Sequence, residues 1–339
     1  SYKRIPDLLK RQLIQEESIV DTRLSKFEVY ENLFPSRNNG VNAWVSIMRG
    51  CDKFCTFCIV PFTRGRERSR SLQSIIDEVK KAVDMGFIEV TLLGQNVNSY
   101  NHNNVKFPKL IDSVANISGL QRIRFTSPHP QDIDDELLFV MRDNHNICNS
   151  VHLPLQAGSN KILKKMNRTY TKEKFMILSD KIRNILSNSS ITTDIIAGFP
   201  GETEKDFNET LDVMNYVKFD SAFTFKYSSR PGTKASEFDN HIDERIRQLR
   251  LAKLVELQKK HTLHRNKLEI GKKVKVLVEK NSKKSKNKLS GRTDNNKWVI
   301  FPNNNINIGE IITVKITDAR GISLFGEKIK MKDENYAII

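Results

Sequence analysis

The sequence predicts an α/β protein: a partial (β/α)6 barrel of the TIM type, followed by a small all-β barrel. Six short β-rich runs alternate with helical patterns between residues 41 and 265, which is typical of parallel strands covered by helices. The chain then changes to short strands separated by Gly and Asn turns, which favours a small antiparallel barrel. Three of the four cysteines follow the first predicted strand, where a barrel carries its reactive groups.

The larger barrel is predicted from strand-and-helix units that recur along the chain. The predicted strands are Ala43–Met48, Ile88–Leu93, Arg122–Thr126, Ser150–Leu153, Ile191–Ile196 and Ser221–Phe225. The helical patterns between them are Leu72–Met85, Phe107–Ile117, Ile133–Met141, Tyr170–Leu186 and Glu204–Val217. A complete barrel needs about eight units, so six predict an open barrel with functional groups at the carboxyl ends of its strands. A long charged helix over Asp243–His264 follows.

The tail after Lys267 is both β-rich and basic. The predicted strands are Val274–Val278, Lys288–Arg292, Trp298–Phe301, Ile311–Ile316 and Leu324–Lys330. Residues 267–331 hold 15 Lys and Arg against 6 Asp and Glu, a net charge of +9 out of +16 for the chain. Lysines spread over a solvated surface would explain a high charge as well, but this concentration in one segment favours an RNA-binding module.

Composition sets the class of protein. With 339 residues, 38% of them hydrophobic, the chain is long enough for two or three domains with real cores. We expect residues 1–40 to be the remnant of an upstream domain plus a linker, 41–265 the barrel, and 266–332 the RNA-binding domain. Neither an apolar run of about 18 residues nor a secretory signal is present, so we expect a cytoplasmic protein that does not enter a membrane.

The cysteine triplet Cys51, Cys55 and Cys58 carries the chemistry. Three thiolates on one loop can ligate three irons of a cubane cluster and leave the fourth iron open to a cofactor. A structural zinc site is the alternative, but zinc needs four closed ligands and no fourth Cys or His lies close in sequence. Cys148 stands alone and is expected to be a small buried hydrophobic residue.

The motif Cys-x3-Cys-x2-Cys, with Phe57 before the last cysteine, resembles the signature of the radical S-adenosylmethionine (SAM) enzymes. Further motifs occur in order and resemble the methylthiotransferase branch of that family: Val45–Cys51, Pro61–Gly65, Gly94–Asn98, His152–Gln156, Gly198–Thr203 and Ser229–Thr233. The segment Leu289–Asn296 resembles the TRAM domain of the same branch. The predicted fold is therefore a radical SAM partial barrel with a TRAM barrel behind it.

The resemblance implies a 4Fe–4S cluster held by Cys51, Cys55 and Cys58, with SAM on the open iron as the source of a 5′-deoxyadenosyl radical. Residues at the strand ends would bind the cofactor: Gln95 and Asn96 its amino group, Arg168 its carboxylate, and Ile196 and Gly198 its adenine. Gln156 would contact its ribose or the substrate. The full set of implied cofactor-binding residues is Phe57, Gly94, Gln95, Asn96, Gln156, Arg168, Ile196 and Gly198.

The implied reaction is methylthiolation at carbon 2 of isopentenyl-adenosine beside the anticodon of tRNA. The implied partners are tRNA, through its anticodon stem-loop, and an electron donor such as flavodoxin or ferredoxin. A sister methylthiotransferase acting on threonylcarbamoyl-adenosine or on a ribosomal protein is one alternative, and a non-catalytic RNA-binding protein is another. The sequence Gln95-Asn96-Val97-Asn98 favours the isopentenyl-adenosine branch.

One departure from the family concerns sulfur transfer. The family has an N-terminal domain with three more cysteines for an auxiliary 4Fe–4S cluster, and residues 1–50 contain none. Because Ser1–Lys10 resembles the last helix of that domain, we expect the auxiliary cluster only in a full-length protein. By itself this chain is expected to bind one cluster and cleave SAM, but not to transfer sulfur.

Overall fold

The computed structural model describes residues 4–15, 18–21, 29, 34–37, 40–283 and 285–329. Its first part is built on six strands: β1 (Asn42–Ser46), β2 (Glu89–Leu93), β3 (Arg122–Phe125), β4 (Ser150–His152), β5 (Ser190–Ala197) and β6 (Ser221–Lys226). They form two parallel sheets, β1-β2-β3 and β4-β5-β6, joined by a parallel contact between Ile123 and Ile147. Within the described ranges β1 and β6 each pair on one side only, so the predicted partial (β/α)6 barrel is confirmed.

The helices between these strands bury apolar side chains, except the short helix Val60–Arg64, which has no buried residue. They are α2 (Val60–Arg64), α3 (Leu72–Asp84), α4 (Phe107–Ala115), α5 (Asp135–Asp143), α6 (Asn160–Lys165), α7 (Lys172–Ile185) and α8 (Glu204–Val217). In α3, for example, Ile75, Val79 and Ala82 recur at helical spacing and are fully buried. The Ser71 hydroxyl caps α3 by accepting from the Ser74 amide.

Several short elements of the fold are not predicted from the sequence. Helices α2 and α6 each span a turn or two, and two-stranded ladders join Met48–Arg49 to Arg68–Ser69 and Asn101–His102 to Val105–Lys106. Such segments are too short to show a helical or alternating period. Upstream, α1 (Ile5–Gln15) extends farther than the helix end expected in residues 1–10.

Helix α9 (Glu244–Lys267) leads from the partial barrel into a closed five-stranded barrel. Its strands are β7 (Lys273–Ser282), β8 (Ser285–Thr293), β9 (Trp298–Pro302), β10 (Ile311–Arg320) and β11 (Ser323–Lys328), and their order around the barrel is β7-β8-β9-β11-β10. Inward side chains such as Val276, Val299, Phe301 and Val314 form a separate apolar core. The predicted small all-β barrel is therefore confirmed, but its strands are not all antiparallel, because β9 and β11 pair in parallel.

Two buried charge clusters join the barrels. Glu89, the first residue of β2, contacts the Arg124 guanidinium at 3.0 Å and the Arg292 guanidinium of β8 at 3.3 Å. The Lys297 ammonium lies 2.7 Å from Asp220, just before β6. Glu89, Arg122 and Asp220 all mark the amino ends of barrel strands, so the small barrel lies at the end opposite the cysteine loop.

Candidate functional site

The cysteine loop begins at a glycine that no other residue can replace without rearrangement. Gly50 has φ +84°, and a Cβ there would lie 2.1 Å from the Arg66 carbonyl oxygen. Its amide donates to the Gln95 side-chain oxygen at 2.7 Å, so the loop after β2 supports the loop after β1. This close approach fixes the direction in which the chain leaves β1 toward Cys51.

Distant segments hold the middle of the loop. The Thr56 amide donates to the Met166 carbonyl at 3.1 Å, and the Thr56 carbonyl accepts from the Ala235 amide at 2.8 Å. The Asn167 side chain donates to the Lys53 and Phe54 carbonyls at 3.2 and 3.0 Å. The segment after α6, which the sequence analysis did not recognise as structural, therefore positions the cysteines.

The three thiols are all free and half-buried. Burial raises the pKa of Cys51 to about 11 and also raises the pKa of Cys58. Repulsion by Cys55 and Cys58 adds to the increase at Cys51, and repulsion by Cys55 adds to the increase at Cys58. Ligation by metal must therefore displace protons from these thiols.

The donor set of the cysteine loop consists of three thiols. Among the residues that the structure describes, no three Cys, His, Asp or Glu side chains are gathered closely enough to hold one metal ion. Soft thiolates are the ligands that iron–sulfur clusters use.

A guanidinium accompanies the sulfurs. The Arg168 Nη1 lies 3.3 Å from Cys55 Sγ. The Nη2 of Arg168 donates to the Pro154 carbonyl at 3.2 Å, and its Nε donates to the Tyr170 hydroxyl at 3.0 Å. Arg168 is thus held beside the cysteines by its neighbours. A fixed positive charge there offsets part of the negative charge that thiolate ligands bring.

A cavity of about 330 Å³ opens next to Cys58; we call it the cysteine-side cavity. Its walls include Phe57, Gln156, Asp194 and Ile196, so three predicted cofactor residues meet beside one cysteine. Gln156 has φ +67°. Its backbone amide donates to the Asp194 backbone carbonyl at 2.8 Å, and its backbone carbonyl accepts from the Ile196 amide at 2.9 Å. Residues held in this conformation often mark functional sites.

The other predicted residues lie around this cavity rather than in its walls. A Cβ on Gly94 would come within 2.6 Å of the Met48 side chain, so Gly94 permits close packing. The Asn96 side chain donates through its Nδ2 to the Asp132 carboxylate at 2.9 Å. Its Oδ1 accepts from the His129 backbone amide at 3.1 Å. The Gly198 amide, at φ +72°, donates to Glu202 at 2.7 Å.

Asp194 is a charged wall residue that was not predicted from the sequence. It lies on β5 two residues before Ile196, so the two side chains share a face of the strand. The His152 Nε2 lies 3.2 Å from the Asp194 carboxylate. Because side chains alternate along a strand, the selection of Ile196 could have indicated Asp194 as well.

Comparison with known proteins agrees with this geometry. The Radical SAM superfamily model matches residues 45–214, and the TRAM domain model matches residues 267–329. A radical S-adenosylmethionine methyltransferase from Kitasatospora setae, solved with cobalamin and a 4Fe–4S cluster, has a TM-score of 0.50. It is 18% identical, over 58% of this chain and 39% of its own, and supports the fold alone.

Curated relatives are much closer in sequence. A tRNA-2-methylthio-N(6)-dimethylallyladenosine synthase from Thermoanaerobacter sp. is 46% identical over 97% of this chain and 70% of its own length. The enzyme of the same name from Clostridium tetani is 46% identical over 97% of this chain and 73% of its own. The chain therefore belongs to the radical SAM superfamily and, within it, to the tRNA-2-methylthio-N(6)-dimethylallyladenosine synthase family.

Proposed function

We propose that this protein methylthiolates carbon 2 of isopentenyl-adenosine beside the anticodon of tRNA when it is joined to the auxiliary cluster, for which residues 1–50 provide no cysteine. The observation that carries the proposal is the 46% identity to synthases of that name over 97% of the chain, which includes the cysteine loop. Identity of this extent supports the isopentenyl-adenosine substrate over the threonylcarbamoyl-adenosine and ribosomal-protein alternatives. The intact triplet of free cysteines also supports an enzyme over a non-catalytic RNA-binding protein.

In this proposal Cys51, Cys55 and Cys58 ligate a 4Fe–4S cluster whose open iron takes SAM. Bound there, the cluster and SAM supply the 5′-deoxyadenosyl radical chemistry of the superfamily. The chain contributes position: Phe57, Gln156 and Ile196 form the walls in which the cofactor would lie. Arg168 holds its charge beside Cys55, and Gly94, Gln95, Asn96 and Gly198 shape the surrounding loops.

The small barrel is proposed to hold the tRNA. Its segment, residues 267–331, carries +9 of the net charge of +16, and neutralising phosphates with lysines drives RNA binding by releasing counterions. No helix within the described ranges is long and apolar enough to cross a membrane. We place the protein in the cytoplasm with tRNA and a flavodoxin- or ferredoxin-like electron donor.

Mass spectrometry of tRNA nucleosides tests the proposal. Deletion of the gene in its host should remove methylthio-isopentenyl-adenosine and leave isopentenyl-adenosine. The intact gene should restore the modification, whereas the Cys55→Ala variant should not. Retention of methylthio-isopentenyl-adenosine in the deletion strain would refute the proposal, and loss of methylthio-threonylcarbamoyl-adenosine instead would select the sister enzyme.

A further inference from the structure

A groove of about 390 Å³ lies along helix α7 on the outside of the partial barrel; we call it the α7 groove. The apolar part of its lining consists of Pro130, Ile133, Tyr170, Phe175, Ile177 and Leu178. One face of α7 forms its wall, since four lining residues recur at spacings of three and four: Lys174, Ile177, Leu178 and Lys181. The volume lies within the range of about 300–1,000 Å³ that is typical of sites for small groups.

Two hydrogen bonds connect the α7 groove to the cysteine loop. Tyr170 lines the groove, and its hydroxyl accepts from the Arg168 Nε at 3.0 Å. The Nη1 of the same guanidinium lies 3.3 Å from Cys55 Sγ. Both side chains also donate to the Pro154 carbonyl, Tyr170 at 2.7 Å and Arg168 at 3.2 Å, so the path is held in place. Only two side chains therefore separate a group in the groove from a cysteine of the triplet.

The apolar surface of the α7 groove is open. Ile177 is 64% exposed, and exposed apolar surface beside a concave site is typical of a surface that a partner covers. Residues just before β1 pack elsewhere: the Phe34 ring lies 4.1 Å from the Lys81 ammonium of α3, and Arg37 donates to the Trp44 carbonyl at 3.0 Å. This end of the preceding segment therefore lies on α3 and β1, and not on α7.

The charge of the α7 groove selects the kind of partner. The two charged side chains among its lining residues are lysines, Lys174 and Lys181, and both are exposed. Lys181 also contacts Asp135 at 2.8 Å, in a pair that solvent screens. With a net charge of +16 on the whole chain, an acidic protein is complementary to this surface and is attracted toward it.

We propose that the α7 groove binds the electron donor of this enzyme, a small acidic flavoprotein of the flavodoxin type. The reduced flavin passes one electron, without a proton, to the cluster of Cys51, Cys55 and Cys58, so the flavin is oxidised and the cluster reduced by one electron each. Redox partners meet over small interfaces, below about 1,200 Å², so one groove and its rim are sufficient.

The shape of the α7 groove favours a flavin carrier over an iron–sulfur carrier. The apolar edge of a flavin ring can enter a concave apolar lining, whereas an iron–sulfur cluster is enclosed by its cysteine ligands. The inference rests on the proposed function, because reductive cleavage of SAM consumes the electron that the donor supplies.

Binding of a purified, fluorescently labelled flavodoxin, followed by anisotropy, tests the surface independently of catalysis. Ile177→Glu should weaken binding to the reconstituted 339-residue chain at least about 10-fold, because it places a carboxylate in the apolar contact and opposite an acidic partner. Ile322→Glu, at an isoleucine of the small barrel that is 74% exposed, is the matched control and should leave binding unchanged. Equal binding by both variants, or no binding by the unsubstituted protein, would overturn the inference.

Salt dependence tests the role of charge. Binding to the unsubstituted protein should weaken when salt is raised from about 0.05 to about 0.5 M, since screening then reaches shorter distances. Lys174→Glu should weaken binding at low salt and reduce this dependence. Lys260→Glu, at an exposed lysine of α9, is the control and should change neither. The same affinity in both lysine variants would contradict an acidic partner on the α7 groove.

Two reductants separate docking from a folding or catalytic defect. Dithionite is a small ion that needs no docking surface, so Ile177→Glu should form 5′-deoxyadenosine at the unsubstituted rate with dithionite and at least about 10-fold more slowly with limiting reduced flavodoxin. If Ile177→Glu loses iron, the milder Ile177→Ser decides the question by the same binding comparison.

Other occupants of the α7 groove have their own signatures. A ferredoxin that binds more tightly than flavodoxin and depends equally on Ile177 would overturn the choice of a flavin carrier. Self-association that Ile177→Glu abolishes would identify a second copy of the chain as the occupant. The proposed function fails separately, if the deletion strain retains methylthio-isopentenyl-adenosine, because neither the binding nor the SAM-cleavage measurement includes tRNA.

Discussion

At the residue scale, Gly50 is the most tightly constrained position near the cysteines. Gly50→Ala should lower the iron content of reconstituted protein, because a Cβ would meet the Arg66 carbonyl oxygen at 2.1 Å in addition to the strain of φ +84°. Strain of this kind alone costs about 1–3 kcal/mol.

Gly86 offers a matched control for Gly50. It has a similar φ of +89°, but a Cβ there would meet nothing within 4 Å. Gly86→Ala should therefore destabilise the fold modestly and leave iron binding unchanged. Equal iron content in the Gly50 and Gly86 variants would show that the clash has no effect on the cysteine loop.

His129 should make stability depend on pH. Burial, followed by the nearby charges of Arg168 and Lys53, lowers its pKa to about 2, so it stays neutral in the folded protein. The unfolded chain takes up a proton below about pH 6.5, so stability falls as pH decreases, by up to about 1.4 kcal/mol per unit.

Urea unfolding of the cluster-free protein at pH 7.5 and 5.5 measures this effect. His129→Asn should lose less stability between the two pH values than the unsubstituted protein, although it starts less stable because its packing is altered. An identical decrease in stability in both proteins would show that protonation of His129 in the unfolded chain does not cause the pH dependence.

At the scale of elements, helix α8 begins where the predicted helical pattern Glu204–Val217 begins. The Thr203 hydroxyl accepts from the Asp206 amide, and the Asp206 carboxylate accepts from the Thr203 amide at 2.9 Å, which completes a capping box on α8. The Asp206 carboxylate also accepts from the Ser159 hydroxyl at 2.7 Å, so the cap connects α8 to the start of α6.

Thr203→Ala should lower the free energy of unfolding by about 1 kcal/mol, because the Asp206 amide loses its partner. Thr203→Ser, which keeps the hydroxyl, is the control and should lose much less. The urea midpoint at pH 7.5 distinguishes them. Equal loss in both variants would assign the effect to the threonine methyl group rather than to the cap.

The long elements were predictable because their periods are clear, whereas the short elements were not. Helix α8 has the predicted bounds Glu204–Val217, since its apolar spacing and its cap agree. The Asn160–Lys165 helix is too short for a period, yet the segment after it holds the cysteine loop through Asn167. Contacts between residues more than a hundred positions apart cannot be read from local patterns.

At the scale of the whole molecule, buried charge fixes the small barrel on the partial barrel. Glu89 is fully buried and contacts Arg122, Arg124 and Arg292. The sequence predicted the two barrels but gave no sign of this junction, because it joins residues about 200 positions apart. The junction also places Arg292 in the wall of a cavity of about 330 Å³, which Trp44, His152 and Phe223 line as well.

Glu89→Gln should lower the free energy of unfolding by about 3–5 kcal/mol, because it leaves buried guanidinium groups without their carboxylate. Asp318→Asn removes the partner of Arg320 in an exposed pair and should cost less than about 1 kcal/mol. Urea unfolding compares the two. A Glu89→Gln variant as stable as Asp318→Asn would mean that the junction does not depend on this charge cluster.

The central claim is that Cys51, Cys55 and Cys58 together hold one iron–sulfur cluster that activates SAM. The most direct measurement is iron content and 5′-deoxyadenosine formation after anaerobic reconstitution of the 339-residue chain. We predict about four irons per chain and SAM cleavage with dithionite, both lost in Cys55→Ala and kept in Cys148→Ala. One tightly bound zinc, or iron content unchanged by Cys55→Ala, would contradict the account.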